Sequence, residues 1–191
     1  MNHEQLASPT TSPEAGQADR PELTAPEAMN VTTPTEASSA TDTAGVIAPP
    51  PLIYLGALGI GFGLDAVIGS ASLRPRFRIP VGSALIIAGA GLLGSFAQAF
   101  RGAQTPIDPY TPSTAIVTDG LYRLTRNPAY LGMALTYTGI AIASSAPWAL
   151  LLLPGAIAIV DRGVIVREER YLERKFGAPY ADYKRRVRRW L

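Results

Sequence analysis

The chain has 191 residues, 47% of them hydrophobic and 17% charged, with no cysteine and one histidine, His3. This excludes disulfides, thiol nucleophiles, a histidine base and any Cys/His metal site beyond that position. The net charge of +2 hides an asymmetry: residues 1–46 carry seven acids against one base, Arg20, and the remainder has a net charge of +8.

The acidic segment is rich in Pro, Thr, Ser and Ala and contains no aromatic residue. It cannot bury enough apolar surface to offset its ordering entropy, so residues 1–48 are expected to form a disordered tail, with the folded domain over 49–191. The tail lacks the basic start and apolar run of a signal peptide.

Beyond Pro49 the composition changes. Residues 52–72 form a glycine-rich apolar run with one ionisable group, Asp65, and residues 79–100 form another that ends at Arg101. Each is close to the ~20 residues that cross a bilayer core. A third apolar region, 130–160, is too long for one span and contains Ser144-Ser-Ala-Pro-Trp148, where Pro147 favours a break. The pattern predicts an all-α membrane protein of about four transmembrane helices, the last two forming a hairpin. A cytosolic amphipathic helix follows. Glycines at small-xxx-small spacing, such as Gly59 and Gly63, suit close helix packing in lipid. The run Gly89-Ala-Gly91-Leu-Leu-Gly94 spells a dinucleotide-binding pattern, but with no strand before it helix packing is the better reading. Asp65 is either a functional intramembrane acid or an interfacial group pairing with Arg74.

Ten Lys and Arg residues lie after Val160 and three more lie over 101–126, against Arg74, Arg76 and Arg78 between the first two runs. The positive-inside rule then places both termini in the cytoplasm, in a plasma (inner) membrane.

The stretch Asp119-Gly-Leu-Tyr-Arg-Leu-Thr-Arg-Asn-Pro-Ala-Tyr-Leu-Gly132 opens the third apolar region. Pro128 suits the first turn of a helix, with Asn127 as its N-cap. The free N–H groups of that helix end, with Arg126 and Arg123 beside them, favour an anion such as a carboxylate. Further on, Val164, Ile165, Leu172 and Phe176 keep helical spacing, and Glu168 falls on that stripe with Glu169 beside it. The two carboxylates either face a site or pair on the helix surface with Arg162, Arg170 or Arg174. Gly177 ends this helix, and Tyr180, Tyr183 and Trp190 suit the headgroup interface.

The ordered set Gly120-Leu-Tyr122, Arg126-Asn-Pro-Ala-Tyr130-Leu-Gly132, a helical hairpin, Glu168-Glu169, Phe176-Gly177, Tyr180 and Tyr183 resembles the isoprenylcysteine carboxyl methyltransferase and phospholipid methyltransferase superfamily. These are integral membrane enzymes that use S-adenosylmethionine, and the resemblance covers 112–190. The usual Arg-His-Pro-x-Tyr is Arg-Asn-Pro-x-Tyr here, so position 127 offers hydrogen bonds but no titratable group. Carried over by position, the resemblance implies a cofactor pocket built from Thr114, Ala115, Ile116, Val117, Tyr122, Asn127, Pro128, Ala129, Tyr130, Glu168 and Glu169. Arg126 and Glu168 are its implied catalytic pair. It further implies a lipid-like, prenylated or otherwise apolar methyl acceptor taken from the membrane lipid bilayer, with no metal and no nucleic acid as partners. The competing expectation is a non-catalytic membrane scaffold that keeps these helices for packing or anchoring.

Overall fold

The computed structural model describes residues 43–69, 74–107 and 110–191. Most of the expected tail, 1–42, therefore lies outside the described residues. Its last residues are described and lie against the body. Val46 is buried, and the Ile47 N–H reaches the carbonyl of Gly163 at 3.4 Å.

The regular secondary structure of the described residues is all helical, with no strand among them. In chain order they form α1 (Pro50–Ile68), α2 (Pro75–Gly102), a 3-10 turn (Gly120–Arg123), α3 (Pro128–Ala143), α4 (Pro147–Val160), a π turn (Asp161–Ile165), α5 (Val166–Phe176) and α6 (Ala178–Arg186). Proline stands in the first two positions of every one of these helices except α5. Its fixed φ and missing N–H cost nothing there, which is why each boundary falls where the sequence places a proline.

Among the described residues three helices are long and apolar enough to cross a membrane: Pro50–Ile68, Pro75–Gly102 and Pro147–Phe176, in which the expected amphipathic helix continues the last span without a break. The other arm of the predicted hairpin, Pro128–Ala143, has 16 residues, about 24 Å at 1.5 Å per residue. The break is at the expected place. Ser145 takes φ of 54° between α3 and α4, and the Tyr137 hydroxyl donates to the Ala149 carbonyl across the hairpin at 2.7 Å. Large apolar side chains such as Leu55, Ile60 and Val67 on α1 and Val81 and Ile87 on α2 stand exposed. Only hydrocarbon covers such a face without penalty. The chain is an integral membrane protein.

Helix α2 packs antiparallel on α3, and α1 antiparallel on α4. Glycine makes the first crossing possible. A Cβ on Gly89 would lie 2.6 Å from the Gly132 carbonyl oxygen, and one on Gly139 would lie 2.6 Å from that of Gly82. The pairs 82/89 and 132/139 are seven residues apart, two turns on one face of each helix, so the backbones themselves touch. Gly89 thus serves packing, as the sequence suggests. Gly59 and Gly63 do not: both face open space, and Gly61 is the residue pressed against Ala149. Tyr54, Leu58 and Gly61 form the buried i, i+4, i+7 stripe, which turns residues 59 and 63 outward.

Asp65 does not pair with Arg74. Both its carboxylate oxygens are buried without a hydrogen-bond partner. At that same end of the bundle, Arg78 Nη1 donates to Ser145 Oγ at 3.0 Å.

Candidate active site

The start of α1, the end of α2, the start of α3 and the α4–α5 continuation meet at the opposite end of the bundle. There they enclose a cavity of about 630 Å³. The loop over 113–117 closes it on one side and α6 on another. Its walls are mainly apolar or aromatic, including Phe96, Phe100, Met133 and Leu172, and Glu168 is the carboxylate among them.

Glu168 reaches the cavity because the helix from Pro147 to Phe176 changes register at the π turn. The extra residue per turn there lets Val164 and Ile165 stay fully buried while Glu168, one turn later, points at the wall of α3. Its Oε1 accepts a hydrogen bond from the Tyr130 hydroxyl at 2.7 Å. That bond ties α3 to α5 and fixes the carboxylate's orientation.

Glu169, one residue on, is buried and faces elsewhere. Arg189 donates to it through Nη2 at 2.6 Å and Nε at 3.1 Å, and Arg126 Nη2 lies 3.2 Å from its Oε1. Arg189 Nη1 also reaches Asp161 Oδ2 at 3.2 Å, and the Trp190 indole N–H donates to Asp161 Oδ1 at 3.2 Å. Neither carboxylate of the pair uses Arg162, Arg170 or Arg174, the surface partners that the spacing allowed.

The last residues run back along the Asn-Pro loop. The Arg126 N–H donates to the Arg188 carbonyl at 2.9 Å, and the Arg189 carbonyl accepts both Asn127 Nδ2 at 2.9 Å and Thr125 Oγ1 at 3.0 Å. Asn127 is therefore not a side-chain N-cap. Its φ of −129° and ψ of 54° turn the amide toward the C-terminal strap, and only its carbonyl enters the helix, accepting the Leu131 N–H at 3.1 Å.

Of the residues marked from the sequence, Ala115, Ile116, Val117, Tyr122, Asn127, Ala129, Tyr130 and Glu168 line the cavity. Thr114 does not. It is exposed, its Oγ1 donating to the Gln104 carbonyl at 3.2 Å and its N–H to Thr105 Oγ1 at 3.1 Å, so it pins the loop from outside. Pro128 is fully buried beneath α3. Arg126 and Glu169 belong to the ion cluster behind the wall. The Nε and Nη1 of Arg126 are buried with no hydrogen-bond partner.

Tyr180 and Tyr183 point inward and stand in the cavity wall, 3% and 4% exposed. Their i, i+3 spacing puts both on the inner face of α6, which Gly177, at φ of 60°, folds back over the site. That spacing was the signal available in the sequence. The Tyr183 hydroxyl donates to the Tyr122 carbonyl at 2.8 Å. Burial pushes the Tyr183 phenol up to about 12, with the positive charge of Arg126 opposing the shift. Tyr122 is raised by burial and by the Tyr183 and Glu168 charges, and Tyr180 by burial and by Glu169. All three remain neutral donors at physiological pH. Tyr171 also lines the cavity, its hydroxyl accepting the Ser113 N–H at 3.1 Å.

A cavity at a helix-bundle mouth, with a fixed carboxylate, spare guanidinium donors close behind and tyrosines around them, suits a zwitterionic ligand with an aromatic part. An uncharacterised protein of Haemophilus influenzae is 39% identical over 62 residues, 32% of this chain and 78% of that protein. No solved structure matches the chain. The phospholipid methyltransferase family model matches residues 77–179, which run from the first turn of α2 through the Asn-Pro loop and both carboxylates, and the chain belongs to that family of membrane methyltransferases.

Proposed function

We propose that the protein transfers a methyl group from S-adenosylmethionine to a lipid-like, prenylated or otherwise apolar acceptor at the cytosolic face of a plasma (inner) membrane, with four helices spanning it and both termini inside. The observation that carries this reading is Glu168, a half-buried carboxylate held by Tyr130 in a largely apolar cavity of about 630 Å³. A carboxylate in apolar surroundings is costly unless it meets a cation. The ammonium of the cofactor is such a cation.

The residues present fit the cofactor. Glu168 would hold its amino group, and Arg126, whose Nε and Nη1 are buried without a hydrogen-bond partner just behind the wall, would lend positive charge to the side that takes its carboxylate. The free N–H groups of the first turn of α3 would assist them. Tyr122, Tyr130 and Tyr180 offer faces for an adenine ring or a sulfonium. Asn127, Ala129 and the 115–117 loop shape the wall. We assign Glu169, Pro128 and Thr114 to holding that wall rather than to touching the ligand. When bound, S-adenosylmethionine supplies the activated methyl group, and what remains for the chain is alignment and exclusion of water.

The acceptor side is read from the apolar end of the cavity, where Pro50 and Pro51 of α1 face Phe96 and Phe100 of α2. Helices α1 and α2 pack on α4 and α3 respectively, so an acceptor has a route from the bilayer between them. The orientation rests on charge: 13 Lys and Arg residues lie at the cavity end against Arg74, Arg76 and Arg78 at the other.

The test is to incubate membranes holding the protein with methyl-labelled S-adenosylmethionine and count label in the organic extract. Label that appears with wild type and disappears with Glu168→Gln supports the enzyme. No label from either, with a broad acceptor mixture present, favours the non-catalytic scaffold.

A further inference from the structure

Residues 161–176 carry four acids and five bases, and the structure separates most of them by face. Asp161 meets Arg189 and Trp190, Glu168 meets Tyr130, Glu169 meets Arg126 and Arg189, and Glu173 meets Lys184 at 3.1 Å. Every acid is thereby engaged away from one face, and that face presents Arg162, Arg167, Arg170 and Arg174. The π turn is what aligns them. Arg162 and Arg167 are five apart across an i→i+5 turn, and Arg167, Arg170 and Arg174 follow at i, i+3, i+7.

The four arginines line one surface cleft of about 550 Å³, floored by Val166 and Ala44. All four are exposed, and none makes an ion pair among the described residues. Arg167 is steadied by donating to the Gly45 carbonyl at 2.9 Å. The cleft starts within one turn of Val160, where the apolar part of the helix ends and where a spanning helix would leave the hydrocarbon core.

We propose that this cleft is a binding site for the phosphate of an anionic phospholipid headgroup, separate from the cavity and independent of methyl transfer. Guanidinium groups match phosphate oxygens through paired N–H donors, and a concentration of cations with no carboxylate to neutralise it among the described residues suits an anion. Its position beside the end of an apolar helix selects a lipid over a soluble anion, because the lipid headgroup is already concentrated there.

The full-length protein reconstituted in nanodiscs of phosphatidylcholine and phosphatidylglycerol in equal parts, then analysed by native mass spectrometry, reads which lipid stays bound. Wild type is expected to retain phosphatidylglycerol preferentially. The R162Q/R167Q/R170Q/R174Q variant loses that preference, and the fourfold Arg→Lys variant keeps part of it. If the fourfold Gln variant does not fold, Arg170→Gln and Arg174→Gln singly serve, each expected to lower the preference roughly fivefold. Equal preference in wild type and variants overturns the proposal. So does a preference that added inorganic phosphate removes, since that result assigns the cleft to a soluble anion.

Discussion

Arg189 grips Glu169 through two donors, Nη2 at 2.6 Å and Nε at 3.1 Å, and so fastens the end of the chain to the helix that carries Glu168. The same segment accepts three hydrogen bonds from residues 125–127. The two halves of the site, the Asn-Pro loop and α5, are thus held in register by a third element that stands outside the cavity lining.

Removing that grip leaves Glu169 and Arg126 buried with a broken network. Arg189→Met should destabilise the protein by about 2–3 kcal/mol, the low end for a buried pair because Arg189 is partly exposed. Glu169→Gln should cost a similar amount. The double variant should cost less than their sum, and thermal unfolding in one detergent checks the cycle.

Tyr130→Phe deletes the donor to Glu168 without changing volume. The carboxylate loses its orientation and one bond, so S-adenosylmethionine affinity should fall about tenfold while stability changes by about 1 kcal/mol. Calorimetric titration alongside a melting curve separates the two effects.

The glycines of the α2–α3 crossing should be intolerant. Gly89→Ala places a methyl against the Gly132 carbonyl and should cost about 1–3 kcal/mol. Gly91→Ala, two residues on and facing open space, should be neutral or slightly stabilising. Equal melting temperatures for the two would count against the backbone contact.

Alkaline pH offers a fourth test. The Tyr183 phenol is raised from 10 to about 12 by burial, so the neutral form is favoured by folding. Its contribution is complete below pH 10 and is lost as pH rises toward about 12. Tyr183→Phe should flatten that part of the stability profile, at a cost of about 1 kcal/mol at neutral pH for the lost bond to Tyr122.

The helices were legible because apolar runs fill them, and Pro128 and Pro147 marked two starts. The runs at 52–72 and 79–100 missed the ends of α1 and α2, and the unbroken passage of α4 into α5 was not foreseen. The family was legible too, because its motif residues fall in two short blocks, 120–132 and 168–183, in a fixed order around the hairpin. Facing was not. Glu168 and Glu169 are adjacent, and which one meets the cavity depends on the π turn at Asp161–Ile165, which no residue pattern announces. Asn127 has the chemistry of a cap, but the Arg189 carbonyl, 62 residues away, takes its amide. Tyr180 and Tyr183 read as interface aromatics until α6 is seen to fold over the site. The last two misses are long-range contacts overriding a sound local preference, and the first is a local irregularity of the helix.

In the proposed reaction Glu168, and not Glu169, faces the methyl donor. Calorimetric titration of S-adenosylmethionine into detergent-purified protein tests it directly. The account predicts binding by wild type and a loss of about tenfold or more in Glu168→Gln with an unchanged melting temperature. A folded wild type that does not bind, or a Glu168→Gln variant that binds as wild type does, would contradict it.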